Sequence, residues 1–246
     1  MTSAAESRLE YRAGDFACEG FVARPAEAGS SGPTPVVLVC HAWAGEDLFA
    51  DEKARALAAL GYIGFAIDVY GKGRRGNSND ENMALMSPLV EDRALLRGRL
   101  AAAVASAATI PGADASRLAA IGYCFGGLCA IDIARACLPG VRGVVSFHGL
   151  FTAPDASQVG PQRPIAAKVL ALHGWDDPLA KPESVLGFTR EMSQAKADWE
   201  LDAYGGTLHA FTNPLANDPV FGTVYSAQAD ARSWARAAQF LAEVLR

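Results

Sequence analysis

Five short runs of almost uninterrupted apolar residues punctuate this chain: Pro35–His41, Tyr62–Tyr70, Leu118–Ile121, Gly143–His148 and Lys168–His173. A strand wetted on one face alternates apolar and polar residues. Runs without alternation belong to strands covered on both faces, as in a parallel sheet. Between them lie stretches of helical length. Leu48–Leu60 is alanine-rich with apolar residues at helical spacing, and Gly61 follows as a helix-terminating glycine. Leu89–Ile110, Leu128–Leu138 and Pro182–Ala197 are long enough for helices. Ala231, Trp234, Ala238, Leu241 and Leu245 fall at steps of three and four, which predicts the apolar stripe of a closing helix. Alternating Leu9–Arg12 and Cys18–Arg24 predict an antiparallel pair around Gly14-Asp15, and Trp199–Tyr204 a last, exposed strand. Repeated strand–helix–strand units predict right-handed crossovers and one doubly wound, mostly parallel α/β sheet. Two stretches interrupt the order. Gly29–Pro35 reads as a Gly/Ser/Pro loop. Residues 71–88, glycine-rich and polar before Met83, Leu85 and Met86, read as a loop excursion over the active site within a single domain spanning 1–246.

Composition narrows the partners. The formal net charge is −5, which offers no general attraction to nucleic acid or an anionic membrane. No apolar run approaches the roughly 20 residues of a membrane span. Met1–Glu10 has no apolar segment of a secretory signal, so a cytoplasmic location is expected. The five cysteines are odd in number and without framework spacing, which favours free thiols. No zinc-type Cys/His spacing is present, so no metal is expected. The first strand–helix turn, Ala42-Trp43-Ala44-Gly45, lacks the glycine fingerprint of a dinucleotide site.

Chemistry gathers where such sheets place it, outside the carboxyl ends of the strands. One turn stands out. Gly122-Tyr123-Cys124-Phe125-Gly126-Gly127 joins an apolar strand to an apolar helix, with a nucleophile at the corner. Glycine at 122 and 126 allows strand and helix to approach closely, and a helix start behind Cys124 favours a thiolate and an oxyanion. Other reactive residues at strand ends are His41, Asp68, His148, Asp176, Asp177 and His209. Cys124 as nucleophile, His209 as its base and Asp177 as the group orienting the imidazole make a working set. Asp176 is the alternative acid, and Asp177 before Pro178 also suits a simple turn. His41 and His148 read as structural or pocket-lining groups, Asp68 as a strand-end residue bonding loop N–H groups. Lys72, Arg74 and Arg75 read as a solvated loop or as anchors for an anionic substrate.

In these pieces the chain resembles the dienelactone hydrolase family, carboxymethylenebutenolidase-like members of the α/β-hydrolase fold. The resemblance rests on Gly122-Tyr-Cys-Phe-Gly-Gly127, His173-Gly-x-x-Asp177-Pro178, His209-Ala-Phe211 and Asp68-Val-Tyr-Gly71, and runs from about Pro35 to the C-terminus. It implies hydrolysis of a lactone or small carboxylic ester through a Cys124–Asp177–His209 triad and a thioester, without metal or organic cofactor. It also implies an oxyanion hole of the Phe125 and Trp43 N–H groups. A pocket lined by His41, Tyr123, Lys72, Arg74 and Arg75 is expected around the reacting carbonyl. Well-known members carry a loop glutamate that pairs with the resting thiol, where this chain has Ala42. They also hold a substrate carboxylate with an arginine four residues beyond the histidine, where this chain has Asn213. Two other readings stand beside the family one. The first is a general carboxylesterase or thioesterase on the same triad. The second is a non-catalytic scaffold with a thiol that senses oxidants. The partner expected is a small-molecule substrate, with the chain acting as a monomer or homodimer.

Overall fold

The computed structural model describes residues 5–26, 28 and 32–246; Gly29-Ser30-Ser31 of the expected Gly/Ser/Pro loop lie outside the described residues. In chain order the elements are β1 (Ala5–Ala13), β2 (Phe16–Arg24), β3 (Thr34–Cys40), α1 (Leu48–Ala59), β4 (Ile63–Ile67), α2 (Asn79–Glu91) and α3 (Arg93–Ala107). Then come β5 (Ala113–Tyr123), α4 (Phe125–Arg135), β6 (Val141–Phe147), the single turn α5 (Ala156–Val159), β7 (Lys168–Gly174) and α6 (Pro182–Gln194). The chain ends with β8 (Trp199–Tyr204), a two-stranded ribbon of β9 (Asn217–Asp218) and β10 (Thr223–Val224), and α7 (Ala227–Val244). Eight strands form one sheet in the order β1-β2-β4-β3-β5-β6-β7-β8. The β1/β2 and β2/β4 pairs are antiparallel, and the remaining ladders are parallel.

The unalternating runs are explained by two cores, one on each face. In β3, Val36, Leu38 and Cys40 join a cluster with Leu96, Leu100, Leu128, Ile131 and Phe188. Val37 and Val39 turn to the other face, against Ala54, Leu57, Phe240 and Leu241. Thus α3, α4 and α6 cover one face while α1 and α7 cover the other, the doubly wound arrangement expected from the sequence.

The helices differ from the sequence reading in two places. The single helix expected over 89–110 is two, because Asp92 leaves helical geometry (φ −109°, ψ 89°) and its side chain accepts from the Leu95 N–H at 2.8 Å. It ends α2 and caps α3 in one residue. Helix α2 also occupies most of the stretch expected as a loop over 71–88. In α7 the buried residues are Ala229, Ser233, Ala237, Phe240, Leu241 and Val244; of the expected stripe Leu241 and Leu245 are buried and Trp234 packs against the core, while Ala231 is exposed. Single-residue periodicity locates a stripe only to within the width of a side chain, and the sheet selects the rotation.

The turn from β5 to α4 is built by close approach. Cys124 lies at φ 57° and ψ −116°, a conformation costly for a residue with a Cβ. A Cβ on Gly122 would collide with the Gly126 carbonyl, and one on Gly126 with the carbonyls of Cys40 and His41 at the end of β3. Glycine at both positions is therefore a packing requirement. Gly126→Ala is expected to destabilise the protein by about 1–3 kcal/mol or more, the usual range for overpacking against atoms that cannot yield. A fall in the urea midpoint at unchanged slope measures it; an unchanged midpoint contradicts the packing account.

Candidate active site

Cys124 stands at the carboxyl edge of the sheet, where β5 gives way to α4. Its backbone N–H is shared between Phe147 O and His148 Nδ1, each at 3.1 Å. Directly after it, the Phe125 N–H has no partner among the described residues, nor does the N–H of Trp43 in the loop after β3. Unpaired N–H groups at a helix start and in a neighbouring loop are what an oxyanion requires.

Asp177 and His209 meet on loops that are laced together. Asp177 Oδ2 is 2.7 Å from His209 Nδ1, and its Oδ1 accepts from the Leu179 N–H at 2.8 Å. Both residues are buried. Asp176, the alternative acid, is exposed, and its N–H bonds Thr207 O at 3.0 Å. The His209 backbone is clamped by the ribbon, its N–H to Gly222 O at 2.9 Å and its carbonyl from the Val224 N–H at 3.0 Å. Gly222 has φ 86° and presses on Pro178, where a Cβ would clash. The ribbon thereby holds the aspartate loop and the histidine loop at one spacing.

The His209 ring is polarised from both sides. Burial lowers its pKa, but the charge of Cys124 and the hydrogen bond that Nδ1 donates to Asp177 overcome this and raise it to about 10. Nε2 has no hydrogen-bond partner of standard geometry among the described residues, and Cys124 raises the ring's pKa both by its charge and by its closeness to the ring. The second histidine, His148, behaves oppositely. Buried, and next to His209, Lys53 and His173, it is held neutral, its pKa pushed well below the usual value.

A cavity of about 600 Å³ opens over Cys124 and His209. Its walls include Trp43, Met83, Met86, Leu150, Leu179 and Phe221. Phe221, on the ribbon, stacks on Trp43 with centroids 5.9 Å apart and planes 18° apart. No lysine or arginine lines it; the charged side chains on its wall besides His209 are Asp47 and Asp218.

Of the pocket residues expected from the sequence, Tyr123 lines this cavity and four do not. His41 is buried beneath it, Nδ1 donating to Ala42 O at 2.6 Å and Nε2 accepting from the Val69 N–H at 3.3 Å. Lys72 pairs with Glu10 and Glu19, and Arg75 with Glu46, all away from the sulfur. Arg74 is also absent from the wall. Acidic neighbours on β1, on β2 and after β3 draw the cations aside. Asp68 does accept loop N–H groups, from Tyr70 at 2.9 Å and Gly71 at 2.8 Å. Sequence reasoning missed Thr212, Phe221 and Leu215 as wall residues, because no local pattern announces a loop that folds back over a sheet edge.

Residues 18–245 match the model of the dienelactone hydrolase family. The chain belongs to that family. It is 30% identical to a probable 2-oxo-3-(5-oxofuran-2-ylidene)propanoate lactonase of Bradyrhizobium sp, over 84% of this chain and 79% of that one. A dienelactone hydrolase-like promiscuous phosphotriesterase from metagenomic libraries superimposes with a TM-score of 0.90 at 32% identity, covering 99% of this chain and 100% of that chain. The sheet and its helices are therefore an α/β-hydrolase fold, and this member of the dienelactone hydrolase family is a carboxylic ester or lactone hydrolase. Against the family pattern, Ala42 lines the cavity where the loop glutamate is expected. Glu46 does not substitute for it, being buried against Arg8 and Arg75. Asn213, at the arginine position, spends its side-chain oxygen on the Leu215 N–H at 3.0 Å.

The charge coupling at His209 gives a direct test. In Cys124→Ala, burial opposes Asp177 alone, so the imidazole pKa falls from about 10 toward or below the ordinary histidine range. Wild-type His209 keeps its proton through neutral pH and loses it as pH rises through about 10; the variant loses it at lower pH. Imidazole nitrogen shifts followed by NMR measure the difference, and coincident titrations would refute the coupling.

Proposed function

We propose that this chain hydrolyses uncharged lactones or small carboxylic esters through a Cys124–Asp177–His209 triad. The observation that carries the reading is the meeting of the left-handed Cys124 and the raised His209 on the wall of one largely apolar cavity, with buried Asp177 2.7 Å behind the imidazole. Cys124 sulfur attacks the carbonyl carbon. The developing oxyanion takes the unpaired N–H groups of Phe125 and Trp43. His209 Nε2 gives its proton to the departing alkoxide or enolate, leaving an acyl thioester on Cys124. Water then enters, His209 takes its proton, and attack on the thioester frees the acid and restores the sulfur. Asp177 holds the ring by Nδ1 throughout.

The substrate class follows from the wall. A carboxylate placed in this cavity would meet methionine, leucine and aromatic carbon, with Asp47 and Asp218 on the wall and the His209 charge already balanced by Asp177 and Cys124. An anion left without a partner in such surroundings loses its solvation without return. The Bradyrhizobium relative is named for a lactone that bears a carboxylate; Asn213, where well-known family members hold a substrate carboxylate with arginine, supports a different preference here. The reading places the protein in the cytoplasm; among the described residues no helix is long and apolar enough to cross a membrane.

Steady-state kinetics test both parts. Cys124→Ala and His209→Ala are expected to lower kcat/KM on p-nitrophenyl butyrate by at least about 10³-fold, as for residues acting as a unit. Wild type is expected to favour p-nitrophenyl butyrate and dihydrocoumarin over a carboxylate-bearing dienelactone by about tenfold or more, the equivalent of about 1.4 kcal/mol. Full activity in Cys124→Ala overturns the mechanism. Preference for the carboxylate lactone overturns the substrate class and leaves the mechanism standing.

A further inference from the structure

His148 is a buried histidine to which the mechanism above gives no step, yet it touches three parts of the site. Its Nδ1 accepts from the Cys124 N–H at 3.1 Å. Its Nε2 is 2.8 Å from Thr212 Oγ1, three residues beyond His209. Its ring meets that of His209 edge-on, with centroids 5.0 Å apart, and that of Phe211 in the same way at 5.0 Å. The residue itself sits at φ 39°, strained backbone for a side chain of this size. Its own N–H donates to Leu172 O at 2.8 Å, which anchors the turn after β6 to β7.

These contacts fix the tautomer. An Nδ1 that accepts a backbone N–H carries no proton, so in the neutral ring the proton is on Nε2 and is donated to Thr212. Thr212 Oγ1 accepts that proton, so the buried Nε2–H that accompanies an accepting Nδ1 is not left without a partner. The other tautomer would point an N–H at the N–H of Cys124. The imidazolium would do the same while adding positive charge beside His209. Burial, with His209, Lys53 and His173 nearby, keeps the ring neutral.

We propose that His148 is a positioning residue for the reacting sulfur: through Nδ1 it holds the Cys124 peptide in its left-handed conformation, and Thr212, by accepting the Nε2 proton, stabilises the ring that does so. The proposal rests on Cys124 being the nucleophile. The physical need is specific. The Cys124 N–H is divided between Phe147 O and His148 Nδ1, and a peptide at φ 57°, ψ −116° relaxes unless surrounding groups over-determine it. The same ring spans from the Cys124 turn to the segment carrying His209, so it sets the sulfur and the imidazole against each other. A displacement of about 1 Å between reacting groups is enough to cost up to about 10²-fold.

The test uses the reactivity of Cys124 itself, so it does not depend on knowing the substrate. Iodoacetamide alkylation at Cys124, located by peptide mass spectrometry, is compared in wild type, His148→Leu, His148→Asn, Thr212→Val and Thr212→Ser, with kcat, KM and urea midpoints alongside. The Asn side chain places an amide oxygen near the Nδ1 position and can accept the Cys124 N–H; Leu cannot. His148→Leu and Thr212→Val are expected to slow alkylation and kcat by about tenfold or more with KM little changed. His148→Asn and Thr212→Ser are expected to recover most of that loss. Equal losses in His148→Asn and His148→Leu, tracking their urea midpoints, would reduce His148 to packing and overturn the proposal. Wild-type alkylation in folded His148→Leu overturns it as well. Failure of the nucleophile reading has a separate signature, full turnover in Cys124→Ala.

Discussion

Strand β5 and helix α4 meet at Gly122 and Gly126 with no side chain between them, and the site is referred to that contact. It lets β3 end against the first turn of α4, which brings the Trp43 loop beside Phe125. It forces Cys124 into a left-handed corner, so that its sulfur stands above the sheet edge and does not enter the core. The cost is a strained residue of the kind that persists only under firm constraint. The constraint is visible: two apolar cores grip β5 from both faces, and the Cys124 N–H is shared by Phe147 and His148.

The other side of the site is held less by packing than by backbone hydrogen bonds between loops. Trp175, Asp176 and Asp177 follow β7 and are tied to Tyr204, Thr207 and Gly174 in turn. The β9–β10 ribbon returns over them, holds His209 on both sides and rests Gly222 on Pro178. Loops serve here because their ends are fixed by parallel strands whose register is set by the cores. The proposed acid and base thus come from separate loops, yet sit 2.7 Å apart. His148 closes the circuit between them and the proposed nucleophile.

The cavity wall is where the charges of this chain are sorted. The fold agrees with the dienelactone hydrolase family. The wall chemistry is this chain's own. Arg75 is taken up by Glu46 and Lys72 by Glu10 and Glu19, while Asp47 and Asp218 stand at the wall. Placement of charge, more than its total, decides what a small buried volume accepts. The Trp43–Phe221 stack spans the loop after β3 and the ribbon that holds His209, so the cavity wall and the candidate reacting groups share one support.

Much of this was determined by the sequence alone. Unbroken apolar runs require strands covered twice, and glycine around Cys124 requires a tight strand-to-helix corner; both are local statements, legible residue by residue. The choice of Asp177 over Asp176 was legible only through spacing, and the tertiary structure separates them by burial: one faces His209, the other water. Where long side chains go was not legible. Lys72, Arg74 and Arg75 lie in a loop that sequence places near the site, but the direction of Lys72 and Arg75 depends on carboxylates distant in the chain. The break at Asp92, the rotation of α7 and the walls supplied by Thr212, Leu215 and Phe221 were decided in the same way. Each is a competition between a weak local preference and contacts that exist only once the sheet has formed, and burial makes those contacts the stronger partner.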